Sequence, residues 1–156
     1  FKIGISWHSF STENGLNRSL DTDQLSQIVK CKNVNFINIQ YGNVLKQIKE
    51  VKLLSGKEIL KVPFTDITRD INSLASIIKE CDLIISIDNS TAHLSASLGH
   101  PTWVLLPYSA DFRWMEEVTP AIWYNNTTLI RQEKENDWNG VVDLVCNAIE
   151  KSNLNK

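Results

Sequence analysis

The clearest chemical signal in this chain follows an apolar run and consists of Asp88, Asn89, Ser90, Thr91 and His93. The run Leu83–Ile87 is almost continuously apolar, which predicts a strand buried on both faces. The small polar residues after it predict the start of a helix, where backbone N–H groups and the helix dipole favour an anion such as a diphosphate. Asn89 or Ser90 is equally typical of an ordinary N-cap that uses up those amides.

Two of these side chains suit different parts of a ligand. The Asp88 carboxylate would repel a phosphate but could accept hydrogen bonds from sugar hydroxyls, or it could simply brace the turn. His93 lies about one helical turn after Asn89, so it could donate to phosphate or sugar oxygens. A lone histidine in a helix is otherwise often a structural residue, and the residues alone leave both roles open.

Arg18 lies in a long connection, residues 8–19, that also carries Asn14, Gly15 and Asn17. Connections between a strand and a helix usually take about 2–6 residues, and longer ones are often functional. The Arg18 guanidinium could clamp a phosphate in bidentate fashion, or it could be a solvated surface group. The connection lacks the GxGxxG pattern of dinucleotide-binding folds, which argues against NAD or FAD.

Weaker signals come from three other predicted loops. Gln40, Tyr41 and Gly42 follow one predicted strand and Asp66 follows the next, so they could bracket a base or a ribose, although turn chemistry explains them nearly as well. The loop at residues 107–114 is rich in aromatics, which could cover a pocket or belong to the core.

Several other chemistries lack their signatures. No GxSxG elbow surrounds a serine, so a hydrolase triad has little support. The three histidines lack metal-ligand spacing, and we expect no metal and no cofactor. Three cysteines without a CxxC pair fit neither a disulfide framework nor a zinc site.

Alternating strand and helix patterns must position these residues. Helical patterns separate six predicted strands, which indicates an α/β fold with a doubly wound, mostly parallel, six-stranded Rossmann-like sheet of order 3-2-1-4-5-6. The predicted strands are residues 3–7, 34–39, 59–62, Leu83–Ile87, Thr102–Leu106 and Thr127–Arg131. The predicted helices begin near residues 21, 43, 70, 91 and 137. We assign residues 1–150 to one Rossmann-like domain and residues 151–156 to a tail.

Composition narrows the class of protein. The chain has 156 residues, 42% of them apolar, and a net charge of −2, which excludes intrinsic disorder and a basic nucleic-acid footprint. No apolar run approaches the ~18 residues of a membrane span. The sequence opens at Phe1, directly before a predicted strand and without a signal peptide. We therefore expect a cytoplasmic piece of a longer protein.

Taken together, several motifs resemble the C-terminal half of the heptosyltransferase-like glycosyltransferases of family nine, in the variants found beside tetratricopeptide repeats in bacterial proteins. The resemblance covers nearly the whole chain. It rests on Ile3-Gly4-Ile5-Ser6-Trp7, Asn17-Arg18-Ser19-Leu20, Asp82-Leu83-Ile84-Ile85-Ser86-Ile87-Asp88, Ala92-His93-Leu94, Leu98-Gly99-His100-Pro101-Thr102-Trp103, Leu105-Leu106-Pro107-Tyr108, Asp111-Phe112-Arg113-Trp114 and Asp137-Trp138.

The resemblance implies a GT-B architecture, in which two Rossmann-like domains face each other and the C-terminal one holds a nucleotide-diphosphate sugar. It also implies metal-independent transfer with inversion, assisted here by His93 and Arg18. The donor-binding residues would be Arg18, Gln40, Tyr41, Gly42, Asp66, Asp88, Asn89, Ser90, Thr91 and His93. The general base belongs to the N-terminal domain in such families, so we expect the fragment to bind a nucleotide weakly and to transfer nothing.

Two departures from the family pattern limit what the resemblance implies. Relatives usually carry Thr where this chain has Asn89, and heptosyltransferases carry a lysine in the first loop, where this chain offers Arg18. Heptose is therefore in question as the donor sugar. The main alternative is a degenerate, non-catalytic module that serves as a protein-interaction scaffold beside the repeats, and a sugar-nucleotide epimerase is a minor one. The expected partners are a nucleotide sugar and an N-terminal domain or repeat region of the same protein.

Overall fold

A computed structural model describes residues 1–12, 15–115 and 121–153. Six strands and five helices alternate along these residues, with short 3-10 turns at Leu16–Arg18 and Phe112–Trp114. The strands are β1 (Lys2–Ser6), β2 (Asn35–Asn38), β3 (Ile59–Leu60), β4 (Leu83–Ile87), β5 (Thr102–Leu106) and β6 (Thr127–Arg131). The helices are α1 (Thr22–Val29), α2 (Leu45–Ser55), α3 (Ile71–Glu80), α4 (Ser90–Ser97) and α5 (Trp138–Asn153).

The strands form a parallel sheet in the order β3-β2-β1-β4-β5-β6, which confirms the predicted α/β class and strand order. Ile5 in β1 pairs with Asn38 on one side and with Ile85 on the other. The chain therefore reverses its direction of winding between β1 and β4. Ligands of open α/β sheets bind at such a reversal, beyond the carboxyl ends of the strands.

Helices cover both faces of the sheet, as the nearly continuous apolarity of β4 requires. On one face, α1, α2 and α5 enclose a core that includes Ile3, Ile5 and Ile85. On the other face, α3 packs on Ile84 and Ile39, and Ala92 of α4 joins Val104 and Leu106 in a separate cluster. Alternate residues of each central strand therefore reach different cores, and the sheet is sealed on both sides.

Several element boundaries differ from the sequence prediction. The β1 and β2 strands differ from the predicted ranges by one residue at each end. The α2 helix begins two residues and ends three residues later than the predicted helix at residues 43–52, and its C-cap is Gly56, whose φ of 71° is left-handed and suits glycine. The β3 strand is shorter than predicted and stops after Leu60. The α5 helix runs through Asn153 and so includes the first part of the predicted tail, because no helix-breaking residue precedes it. Residues 154–156 of that tail lie outside the described residues. Among the described residues, no helix is long and apolar enough to cross a membrane.

Candidate functional site

The carboxyl ends of the parallel strands bring the predicted loops to one edge of the sheet. The β1 and β4 strands lie at its centre, β2 and β3 to one side, and β5 and β6 to the other. The loops that carry Arg18 and Asp88 are therefore neighbours, although 70 residues separate them in sequence. Glu13 and Asn14 of the Arg18 loop lie outside the described residues.

Asp88 is a buried carboxylate at the end of β4, with only 3% of its surface exposed. Its Oδ1 accepts a hydrogen bond of 2.8 Å from the Trp114 indole Nε1. Its Oδ2 lies 3.4 Å from Nη1 of Arg18, which is also 3.3 Å from the Asp88 carbonyl oxygen. A buried charge is costly unless it is paired, so these two donors explain how the fold tolerates the carboxylate here.

His93 packs on the same cluster from α4. Its imidazole stacks on the Trp114 indole with centroids 4.7 Å apart, and its Nδ1 lies 3.1 Å from the Tyr124 hydroxyl. Burial lowers the pKa of His93 below 6.5, and the nearby Asp88 only partly opposes this, so the ring is neutral at pH 7. Its Nε2 lies 4.0 Å from Asp88 Oδ1. That carboxylate favours the tautomer with the proton on Nε2, with the Tyr124 hydroxyl donating to Nδ1.

Asn89 caps α4 and corrects one expectation from the sequence. Its Oδ1 accepts hydrogen bonds from the backbone N–H groups of Thr91, at 2.9 Å, and Ala92, at 3.3 Å. The prediction that the amides at this helix start are free is therefore wrong for these two. Hydrogen bonds with Ser86 and Ser6 hold the Asn89 side chain in the position from which it accepts from these amides. Ser90, at the first position of the helix, is exposed.

Beside Asp88 lies a cleft of about 430 Å³, which we call the Asp88 cleft. Its polar walls come from the loops after β1, β4 and β5. Arg113 donates to both oxygens of Asp111 and so holds the pKa of that carboxyl below its usual value. The cleft is lined by Asn17, Arg18, Asp88, Pro107, Ser109, Ala110 and Asp111.

Two buried polar atoms beside Asp88 have no hydrogen-bond partner. Within residues 1–12, 15–115 and 121–153, six buried side-chain nitrogen or oxygen atoms have none, and three of the six belong to predicted site residues: Arg18 Nε, Thr91 Oγ1 and His93 Nε2. Arg18 lines the Asp88 cleft, and His93 Nε2 lies 4.0 Å from Asp88 Oδ1. Buried polar atoms are normally paired, so unpartnered ones beside a buried carboxylate are typical of a site that is completed by a ligand.

The predicted residues after β2 have a more structural role. Gln40 is buried, and its Oε1 accepts from the backbone N–H groups of Trp7 and His8, both at 2.8 Å. Its Nε2 donates to the carbonyl oxygens of His8 and Tyr41. The side chain therefore joins the loop after β1 to the loop after β2. Contact between Gln40 and a ligand stays a prediction.

Tyr41, Gly42 and Asp66 lie around the ends of β2 and β3. The Tyr41 ring packs near Phe10, with centroids 5.6 Å apart. Gly42 has a left-handed φ of 82°, and a Cβ there would lie 2.5 Å from the Phe10 ring, so both conformation and space require glycine. Gln40, Gly42 and Asp66 line one cavity of about 290 Å³. This cavity is the place where the predicted base or ribose contacts would occur.

Sequence reasoning missed three residues of the site. Trp114 was expected in a loop that covers a pocket or joins the core; it is buried and holds Asp88. Tyr124 carries no signal in the sequence that links it to the site; its hydroxyl lies 3.1 Å from His93 Nδ1. Gln132 was not singled out, although it directly follows a predicted strand, as Gln40 does. It lines a second cleft of about 270 Å³, with Asn17, Pro107, Tyr108, Ser109, Glu135 and Asn136, which we call the Gln132 cleft.

Comparisons with known proteins bear on the fold. No family model matches the chain. The chain is 26% identical over 149 residues to protein FlbA of Caulobacter vibrioides, a match that covers 95% of this chain but 25% of that protein.

Two solved structures share the fold. One is a family 9 glycosyl transferase from Veillonella parvula, with a TM-score of 0.69, 13% identity, and coverage of 99% of this chain and 46% of that chain. The other is the E. coli heptosyltransferase WaaC with ADP, with a TM-score of 0.61, 13% identity, and coverage of 96% and 42%. The chain thus spans less than half of each. The predicted resemblance to heptosyltransferase-like glycosyltransferases of family nine is confirmed at the level of the fold, which is a Rossmann-like α/β fold of the GT-B type.

Proposed function

We propose that this chain is the domain that binds the nucleotide-diphosphate sugar in a metal-independent, inverting glycosyltransferase. The observation that carries the proposal is the pair of unpartnered polar atoms, Arg18 Nε and His93 Nε2, on the two residues that contact the buried carboxylate of Asp88. These atoms lie at the switch point of the sheet, where open α/β folds bind ligands.

Each side chain would contact a different part of the ligand. Arg18 supplies a positive charge for the diphosphate, and the Thr91 hydroxyl can donate to a phosphate oxygen. Because Asn89 already caps two amides of α4, phosphate recognition relies on these side chains, on Ser90 and on the helix dipole more than on free backbone N–H groups. Neutral His93 and the Asp88 carboxylate then suit sugar hydroxyls.

This division also gives the chain a part in the reaction. When the sugar leaves for an acceptor, negative charge grows on the departing diphosphate, and a fixed guanidinium stabilises that charge without a metal ion. Gln40, Tyr41, Gly42 and Asp66 would bracket the base or the ribose. We also propose that a second half of the protein brings the acceptor and the general base. The tetratricopeptide repeats and the cytoplasmic location are further parts of this proposal.

Calorimetric titration with ADP, UDP and GDP tests this function. We expect weak binding of at least one of them and no sugar transfer by the chain alone. Arg18→Met should weaken that binding by at least about tenfold, because it removes a charge-assisted contact. Lys79→Met, which removes the same charge from the exposed end of α3, should leave the affinity unchanged. Absence of binding for all three nucleotides, with the fold intact by circular dichroism, would overturn the proposal.

A second candidate function is a non-catalytic scaffold for protein contacts. It is favoured by large exposed apolar side chains between β5 and β6, where Phe112 is 81% and Trp123 is 66% exposed. Failure of all three nucleotides to bind would favour this scaffold over the enzyme.

A further inference from the structure

Two buried glutamines lie just beyond strand ends at the carboxyl edge of the sheet. Gln40 lies two residues past the end of β2, and its carboxamide accepts hydrogen bonds from the loop after the neighbouring β1. Gln132 directly follows β6, and its Oε1 accepts a hydrogen bond of 3.1 Å from the backbone N–H of Tyr108, after the neighbouring β5. Both side chains therefore join adjacent loops through the carboxamide oxygen.

The two carboxamides differ in what their NH2 groups do. The Nε2 of Gln40 donates to two carbonyl oxygens, those of His8 and Tyr41. The Nε2 of Gln132 is buried and has no hydrogen-bond partner among the described residues, although the residue is only 4% exposed. The amide orientation is fixed, because only the oxygen can accept from the Tyr108 N–H. Gln132 thus carries two donor hydrogens that its role in the fold does not use.

The surroundings of Gln132 form a built site. The Gln132 cleft is continuous with the Asp88 cleft, since Asn17, Pro107 and Ser109 line both. Its lining residues include a carboxylate, Glu135, and neither lysine nor arginine. A phosphate would therefore be repelled there, whereas an uncharged group rich in hydroxyls would find a donor in Gln132 and an acceptor in Glu135.

The order of the strands decides which part of a ligand reaches this cleft. If the base lies near β2 and β3 and the diphosphate near Arg18, the rest of the ligand continues toward β5 and β6. The ends of β2 and β6 are four strand spacings apart, or about 19 Å, so one small group cannot occupy both sites.

We infer that the Gln132 cleft is a sugar subsite, in which Gln132 Nε2 donates to an oxygen of the transferred sugar and Glu135 accepts from its hydroxyls. The inference rests on the proposed function, because it takes the diphosphate position from it. The group that binds beside β5 and β6 is then the uncharged sugar of the donor, which is rich in hydroxyls. Gln132 is then a residue that determines sugar specificity.

Nucleotides with and without a sugar test the inference. The pairs are ADP with ADP-glucose, UDP with UDP-glucose, and GDP with GDP-mannose. In ¹⁵N-correlated NMR spectra of the unmodified chain, the Gln132 side-chain NH2 signals should shift with the sugar nucleotide and stay in place with the matching diphosphate. The signals are assigned by their loss in Gln132→Glu.

Two variants then measure affinity by calorimetry. Gln132→Glu keeps the oxygen that accepts from Tyr108 and replaces the donor with a charge. It should weaken sugar-nucleotide binding about tenfold and change diphosphate binding less than about twofold. Glu135 is exposed, and Glu135→Gln should also weaken sugar-nucleotide binding. Asn139→Asp, at an exposed position of α5, and Glu133→Gln, outside the cleft, are the matched charge controls.

The outcomes separate the two claims. If a diphosphate binds and the sugar adds neither an NH2 shift nor sensitivity to Gln132→Glu, the subsite is wrong and the proposed function stands. If no diphosphate binds, the proposed function is wrong and the subsite falls with it. An NH2 shift that the diphosphate alone also produces would likewise overturn the subsite.

Discussion

At the scale of single residues, the buried carboxylate of Asp88 organises the site. Removing a charged group from water costs on the order of several kcal/mol, as it does for each ion of a buried ion pair, unless hydrogen-bond donors replace the lost water. Trp114 supplies the shortest of these hydrogen bonds, at 2.8 Å, and its indole also stacks against the His93 ring. The tryptophan is therefore part of the site through Asp88 and His93, since its indole N–H is already bonded to Asp88.

Removal of the indole N–H tests this role. Trp114→Phe keeps an aromatic ring beneath His93 but leaves Asp88 Oδ1 without its donor. We expect the free energy of unfolding to fall by about 3 kcal/mol, from the lost bond to a charged group together with the smaller ring. Urea denaturation measures the loss. Trp123→Phe, at an exposed position, should change stability by less than about 0.5 kcal/mol, and equal effects of the two substitutions would contradict the role of Trp114.

Residues joined by the strand pattern could be predicted, whereas residues joined only by packing could not. Arg18 and Asp88 follow strongly patterned strands, and the parallel order of β1 and β4 brings them together. Trp114 ends a single 3-10 turn in the long connection after β5, and that turn is too short for a periodic pattern to indicate which way a side chain points. The role of Gln132 depends on which of its hydrogen bonds the fold leaves unused, which only coordinates show.

At the scale of elements, a ladder of side-chain hydrogen bonds joins three strands below the site. The Ser86 hydroxyl donates to Asn89 Oδ1, Asn89 Nδ2 donates to the Ser6 hydroxyl, and Ser6 donates to Gln40 Oε1. The ladder explains why hydroxyls are tolerated in the buried strands β1 and β4. It also explains why an asparagine caps α4, since a hydroxyl side chain could not reach the helix amides and Ser6 together.

The two helix caps of this face provide a comparison. Asp70 caps α3 at an exposed position, where water can replace it, so Asp70→Ala should cost about 1 kcal/mol. Asn89 caps the buried amides of Thr91 and Ala92, so Asn89→Ala should cost about 3 kcal/mol because those donors are left without water. Urea midpoints of the two variants measure the difference. Equal losses would show that the ladder adds nothing to the cap.

Element order was predictable and element ends were less so. Apolar runs separated by helical patterns predict the six strands, and right-handed crossovers limit the possible strand orders without selecting one. The start and the end of α2 were misplaced by two and three residues because its apolar stripe is weak, with Val51 as its buried residue. Its end at Gly56 is nevertheless a usual glycine stop, and a sequence rule could have found it.

At the scale of the whole molecule, the three histidines respond to pH in the same direction. Burial lowers the pKa of His8, His93 and His100 below 6.5, because each ring is partly removed from water. Titratable groups on the neighbouring elements do not reverse this at His93, where Asp88 and Asp111 raise the pKa and Arg113 lowers it. The fold therefore holds neutral imidazoles that an unfolded chain would protonate.

Stability should therefore fall as the solution becomes mildly acidic. Below about pH 6.5 the unfolded chain binds protons that the folded chain does not, so the free energy of unfolding decreases until the folded pKa values are reached. Urea midpoints at about pH 7.5 and about pH 5.5 measure the decrease, above the range in which Asp70 and Asp111, whose pKa values are lowered, begin to titrate. His93→Gln should reduce the difference between the two midpoints, whatever it does to stability at either pH. A midpoint that is higher at the lower pH would show that the folded chain holds the histidines in their protonated form, and the neutral His93 proposed for the site would then be wrong. A constant midpoint would show that folding does not lower their pKa values.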